Sequence, residues 1–175
     1  ASAIEAGVEA MRRRDRPPQG VAVLDEHDLP YPRHIERCAH VLDQCPEVGL
    51  VSFWEGPSER PVTRPCPARP YQWAWNDAAA ASVLRLAALT SLAVLPASED
   101  PLYERWYLAN AVLAAGWVGV TIPEVLADRS RPEGWVNRLD SSRMVRAVMG
   151  PFAAEIAEDA PDLVLLLRSG SAGTL

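Results

Sequence analysis

Four side chains that could bind a divalent metal ion follow a short apolar run near the start of the chain. The run Val21–Leu24 leads directly into Asp25, Glu26, His27 and Asp28. Several oxygen ligands and one imidazole nitrogen so close together suit a divalent cation that bridges phosphate groups. Asp and His are also ordinary turn formers, and Asp28 before Leu-Pro could simply open a turn. The cluster is therefore either a metal site or a plain turn.

A second acidic pair, Glu99 and Asp100, stands directly before Pro101. Proline is favoured at the first position of a helix, and an Asp directly before it caps the helix. A Glu at this end interacts favourably with the positive end of the helix dipole. A carboxylate held in this way is also fixed in direction and stays ionised. Asp100 is accordingly predicted to be a helix cap.

Trp73 and Trp75 are candidates for binding a sugar by stacking. They alternate along the chain, so in an extended segment both would point to one side. Large aromatic residues more often fill a core, and that alternative stays open here.

The elements that position these residues are predicted to be those of an α/β protein. The apolar run Val21–Leu24, preceded by Pro17-Pro18-Gln19-Gly20, is typical of a buried strand of a parallel sheet. Strands of this kind present their functional residues at their carboxyl ends. A helix over 33–44 should follow, with Ile35, Cys38, Ala39 and Leu42 against the sheet, and then a strand over 48–53.

Further elements are predicted from apolar spacing and from prolines. The segment Gly56–Pro70 contains five prolines and is predicted to be an exposed loop. The remaining predictions are helices over 1–14, 85–92, 102–115 and 152–158, strands over 78–84 and 117–122, a short strand or turn over 125–128, and a strand or buried helix over 163–167.

The order of these motifs resembles the family-2 glycosyltransferases, which have the GT-A fold. The residues that carry the first likeness are Leu24-Asp25-Glu26-His27-Asp28 and the proline and helix that follow them. The second likeness combines Ser98-Glu99-Asp100, a helix rich in Trp and Leu, and Ile122-Pro123-Glu124-Val125-Leu126. The resemblance implies a GT-A-like domain portion over 1–131, with a mixed, Rossmann-like sheet flanked by helices, and a helical C-terminal extension over 132–175.

The resemblance also implies a reaction. A nucleotide-sugar would donate its sugar to the hydroxyl of a glycan, a lipid or a small molecule, with inversion at the anomeric carbon. Asp25 and His27 would bind Mn²⁺ or Mg²⁺, Asp25 and Asp28 would contact the donor, and Asp100 would be the general base. Glu99, Trp73 and Trp75 are the weaker candidates for binding the acceptor. The Gln-x-x-Arg-Trp motif of processive members is absent, which favours single additions.

Two departures from the family pattern leave a noncatalytic alternative open. His27 replaces the usual third-position Asp, and the nucleotide-binding strands that normally precede the acidic cluster are missing. The chain therefore resembles part of a longer polypeptide, and a GT-A-like scaffold or binding module is the second hypothesis. A metal-dependent hydrolase or nucleotidyltransferase is a third, but it leaves the later Glu-Asp and Ile-Pro order unexplained.

Composition limits the partners and the compartment. The net charge of −6 argues against nonspecific binding of nucleic acid, because there is no basic surplus to neutralise phosphates. Three cysteines without a Cys-x-x-Cys pair favour a reducing, cytoplasmic environment. No apolar stretch reaches the roughly 20 residues that span a bilayer. Membrane attachment through regions outside this chain stays open.

Overall fold

The computed structural model describes residues 3–24, 26–57, 59–74, 76, 78–92, 95, 101–129 and 150–162. The predictions for Asp25, Trp75, Glu99 and Asp100, and for the segment 163–167, lie outside these residues. The helices are α1 (Ala3–Arg12), α2 (His34–Gln44), α3 (Tyr71–Ala74), α4 (Leu86–Ser91), α5 (Pro101–Ala114) and α6 (Ala153–Asp159), with a 3₁₀ turn at Gly150–Phe152. The strands are β1 (Gly20–Ala22), β2 (Asp28–Pro30), β3 (Val48–Glu55), β4 (Val83–Arg85) and β5 (Val118–Arg129).

The described strands form one mixed sheet in the order β1-β4-β3-β5-β2. The long strands β3 and β5 run parallel to each other, and all other pairs are antiparallel. Helices cover both faces, so the predicted α/β class with a mixed sheet and flanking helices is confirmed. The architecture is compatible with part of a Rossmann-like fold.

Alternation along the strands produces two cores. Leu50 of β3 and Leu84 of β4 face a cluster built with α1, α4 and α5. Their neighbours Val51 and Val83 face a second cluster built with α2. Successive side chains of a strand point to opposite faces, so β3 and β4 each contribute to both cores.

The first strand differs from its prediction. Only Gly20–Ala22 is a strand, it is antiparallel to β4, and it lies at one edge of the sheet. Val21 is buried, but Leu24 is 47% exposed because the chain turns away from the sheet after Ala22. The prediction of a buried parallel strand through Leu24 was therefore wrong: an apolar run this short does not distinguish the two kinds of pairing.

Residues 78–82 were predicted to be a strand but form turns before β4. Their backbone groups bond to side chains and to one another: the amide of Ala79 donates to Ser52 Oγ at 2.8 Å, and the amide of Ser82 donates to the Ala79 carbonyl at 3.1 Å. These bonds replace the ladder that a longer strand would make.

Strand β5 is longer than predicted and passes through Pro123. Its pairing with β3 is irregular there, since Phe53 is opposite Ile122 while Trp54 is opposite Val125. A bulge of this kind accommodates a proline, which has no amide proton for the ladder. The segment 125–128, predicted as a short strand or turn, is the last part of β5.

A buried arginine links α2 to the sheet. The guanidinium of Arg85 donates to the carbonyls of Leu42, Cys45 and Val48 at 2.6 to 2.8 Å. The last carbonyls of a helix have no partner within the helix, and a cation there also interacts favourably with its negative end. This contact fixes the end of α2 at the start of β3.

The buried face of α2 begins one residue earlier than predicted. His34 is buried, whereas Ile35, which the apolar pattern placed on that face, is 58% exposed. His34 Nε2 donates to the Ala81 carbonyl at 2.9 Å, and the ring contacts Phe53 edge-on at 4.9 Å between centroids. This hydrogen bond compensates for burying a polar ring in a position where sequence reasoning expects an aliphatic side chain.

No helix in the described ranges is both long enough and apolar enough to cross a bilayer.

His34 should make folding sensitive to acid. Burial lowers the pKa of His34 below the usual value of 6.5, although the bond to Ala81 acts in the opposite direction. As the pH falls through that usual value, the unfolded chain takes up a proton that the folded chain resists, so the free energy of unfolding decreases. We expect His34→Gln to flatten this dependence between about pH 8 and about pH 5 in urea unfolding. The control His40→Gln, at an exposed position of α2, should retain it; equal slopes in both variants would contradict the assignment.

Candidate functional site

Two residues of the acidic cluster, Glu26 and His27, lie in the turn between β1 and β2. His27 Nε2 is 3.6 Å from Glu26 Oε1. The His27 side chain is partly exposed and that of Glu26 is open to solvent. An imidazole and a carboxylate are thus adjacent on a solvent-accessible turn.

The described residues by themselves do not complete a metal site. Within them, no group of three or more His, Cys, Asp or Glu side chains is arranged to bind an ion. Asp25, the ligand predicted together with His27, lies outside them.

Asp28 faces the protein interior. It is the first residue of β2, and its side chain is 1% exposed. Its Oδ2 is 2.8 Å from Arg105 Nη1, and the Arg105 side chain is itself only 8% exposed. The prediction that Asp28 binds the donor is therefore corrected, because a carboxylate enclosed with an arginine is not open to a ligand.

The Asp28–Arg105 ion pair joins the end of the acidic cluster to helix α5. Asp28 ends the acidic cluster, and Arg105 lies in the second turn of α5, the helix that the Glu99-Asp100 pair precedes. A side chain in this helix therefore reaches the residue that follows the acidic turn. The positions of Glu99 and Asp100 themselves lie outside the described residues.

Arg105 also binds the backbone of the turn before β4. Its Nη1 donates to the Ala80 carbonyl at 3.0 Å. The amide of Ala80 donates to Glu55 Oε1 at 2.8 Å. Ala80 is thus held from both sides by charged side chains, and this places the buried segment 78–81 between the end of β3 and α5.

Glu55 is the second buried carboxylate at this end of the sheet. It is 3% exposed, ends β3, and accepts a hydrogen bond from Arg64 Nη2 at 2.9 Å through its Oε2. Glu55, Arg64 and Arg105 were not among the residues predicted from the sequence. One signal was present: a single charge at the end of the apolar run Val48–Trp54 must find a partner if it is buried. Arg64 is only nine residues from Glu55, but it lies in a proline-rich segment without a periodic pattern, so nothing in the sequence paired the two residues.

Trp73 is a packing residue. It is 0% exposed, its ring lies 5.4 Å from that of Phe152, and its Nε1 donates to Asp159 Oδ2 at 2.8 Å. No face of the ring is open to a sugar, which corrects its assignment to acceptor binding. The core alternative was the right one for Trp73, and Trp75 stays a prediction.

Comparisons with models of known protein families and with curated proteins found no match for this chain in either set.

Proposed function

We propose that the chain is a portion of a family-2 glycosyltransferase with a GT-A fold. It would transfer one sugar at a time from a nucleotide-sugar donor to the hydroxyl of a glycan, a lipid or a small molecule, with inversion, in the cytoplasm or at a membrane surface. The order of the two acidic motifs supports this proposal, and the mixed sheet with helices on both faces is compatible with it. The observation that carries it is the Asp28–Arg105 ion pair, which joins the last residue of the first acidic motif to α5, the helix that follows the second motif in the sequence.

His27 and Asp25 are proposed to hold Mn²⁺ or Mg²⁺ beside the diphosphate of the donor. The ion would supply positive charge against the negative charge that grows on the departing nucleoside diphosphate. Asp25 is also proposed to contact hydroxyl groups of the donor. The solvent-accessible turn that carries His27 supports this assignment, because a charged donor can approach it.

Asp100 is proposed to be the general base. Its carboxylate would accept the proton of the acceptor hydroxyl while the oxygen bonds to the anomeric carbon and the bond between that carbon and the phosphate oxygen breaks. Attack from the side opposite the leaving group gives inversion. Glu99 and Trp75 remain the candidates for contacting the acceptor.

Asp28 receives a new role in this proposal. Its carboxylate would position the acidic turn from inside, by anchoring the residue after His27 to Arg105. It is therefore a positioning residue and not a donor ligand.

The direct test is activity. We expect Mn²⁺ to stimulate hydrolysis or transfer of at least one donor in a panel of nucleotide-sugars. Asp100→Asn should lower kcat at least about a hundredfold, because loss of a general base costs that much. Donor affinity should change little. Equal turnover in this variant would remove Asp100 as the base.

The metal assignment has its own variant. His27→Ala should weaken Mn²⁺-dependent donor binding at least about tenfold, since even the loss of an outer-sphere partner has that effect. The control is His40→Ala, at an exposed position of α2. Donor binding that is equal with and without Mn²⁺ in wild type would refute the metal role. Absence of turnover with every donor, while a nucleotide still binds, would favour the noncatalytic module.

The ion pair is tested by a double-mutant cycle. Arg105→Met or Asp28→Leu alone leaves one buried charge without its partner, which costs about 3–5 kcal/mol of the free energy of unfolding. The double variant should regain most of that loss, because both charges are gone. Arg37→Met, which breaks the half-exposed pair with Glu124, should cost much less in the same urea titrations. Additive losses in the double variant would show that the two residues do not act together.

A further inference from the structure

The described part of the C-terminal region packs against the domain through two apolar side chains. Phe152 is 6% exposed and Ile156 is fully buried. The Phe152 ring lies between Trp73, at 5.4 Å, and Tyr107, at 5.0 Å. Aromatic rings at such separations attract each other beyond the area that they bury. Residues 150–159 are thus anchored between α3 and α5.

A charged contact lies at the end of the same segment. Asp159 accepts two hydrogen bonds from Arg69, from Nε at 2.5 Å and from Nη2 at 2.8 Å, and a third from Trp73 Nε1 at 2.8 Å. These bonds hold the pKa of Asp159 below its usual value. A bidentate arginine contact fixes orientation as well as distance.

Arg69 and Trp73, which donate hydrogen bonds to Asp159, belong to a segment that has little stability by itself. Arg69 lies in the proline-rich loop, directly before Pro70, and Trp73 lies in α3, a helix of one turn. A helix so short has no stability of its own in water and depends on its tertiary contacts. The Trp106 Nε1 bond to the Gln72 carbonyl at 2.8 Å is one such contact, and the Trp73 Nε1 bond to Asp159 is another.

Helix α3 is connected to the candidate site by hydrogen bonds between side chains. Gln72 Nε2 donates to Asn76 Oδ1 at 3.2 Å, and Arg64 Nη1 lies 3.4 Å from the Asn76 carbonyl. Arg64 in turn bonds Glu55, whose other oxygen fixes Ala80. A contiguous set of hydrogen bonds therefore runs from α3 to Ala80, whose carbonyl also accepts a hydrogen bond from Arg105.

We infer that residues 150–159 are a latch, in which Asp159 and Phe152 hold the proline-rich loop and α3 in place beside the candidate site. Asp159 is then a positioning residue that acts through Arg69 and Trp73. The effect on catalysis rests on the proposed function, whereas the latch itself is a property of the fold.

The latch is tested by hydrogen exchange on the full chain. The amides of Gln72 and Trp73 donate to the carbonyls of Ala68 and Pro70, and so they report on α3. Asp159→Asn replaces an acceptor oxygen with a donor group and removes the charge, which should accelerate exchange of these amides at least about tenfold. Exchange in β3 should not change. The control Asp162→Asn makes the same substitution at an exposed position three residues later and should have no effect.

A second variant keeps the test decisive if Asp159→Asn folds poorly. Phe152→Leu removes the ring contacts but keeps an apolar side chain, and it should also accelerate exchange in α3 alone. The inference is overturned if α3 exchanges at the wild-type rate in both variants, or if α3 and β3 accelerate together. The second outcome would mean that these residues support the whole fold and not one segment.

The catalytic consequence is read separately. Where wild type transfers sugar, Asp159→Asn should raise the KM for the acceptor several-fold, with a smaller change in kcat and unchanged dependence on Mn²⁺. An unchanged KM together with faster exchange in α3 would refute the positioning role. If wild type transfers no sugar, the proposed function fails, and the exchange experiment still decides whether the latch exists.

Discussion

One buried ion pair, between Asp28 and Arg105, sets the arrangement at the end of the molecule where the candidate site lies. The two side chains are 1% and 8% exposed, and their charged atoms are 2.8 Å apart. Charges removed from water to this extent are costly unless each meets the other in good geometry. The edge strand β2 and the helix α5 are therefore held in one relative position. His27 directly precedes Asp28 in the chain, so this buried ion pair also fixes where the turn with Glu26 and His27 lies.

The sheet supplies the frame for this contact. Strands β3 and β5 are parallel, and in open α/β sheets ligands bind beyond the carboxyl ends of such strands. Glu55 lies at the carboxyl end of β3, and its carboxylate accepts hydrogen bonds from Arg64 and from the amide of Ala80. Arg105 binds the same alanine from the other side. Each of the two buried carboxylates at this end of the sheet thus has an arginine partner.

The sequence predicted the elements whose signal is local and periodic. Helices α1, α2 and α5 and strand β3 lie where apolar spacing and the prolines at 46 and 101 place them. Predictions failed where a long-range partner decides the outcome. The buried ring of His34 donates a hydrogen bond to the Ala81 carbonyl. In the turns at 78–82, the amides of Ala79 and Ala80 donate to the side chains of Ser52 and Glu55.

The candidate site was predictable in its residue types but not in all its roles. Nothing near Asp28 in the sequence distinguishes a ligand from a buried anchor, since Arg105 is 77 positions away. Trp73 likewise owes its burial to Phe152 and Asp159, which lie in the C-terminal region. Side chains that carry charge or a ring can serve a ligand or the fold, and only the partner decides between these uses.

The central claim is that a cation bound at the acidic turn shares one cleft with the Asp100 carboxylate. Crystals of the protein grown with Mn²⁺ and a nucleoside diphosphate test it most directly, because the anomalous signal of manganese marks the ion independently of any fitted side chain. We predict a peak coordinated by Asp25 and His27, with Asp100 facing the same cleft. A peak elsewhere, or an Asp100 carboxylate directed to an unconnected surface, would contradict the account.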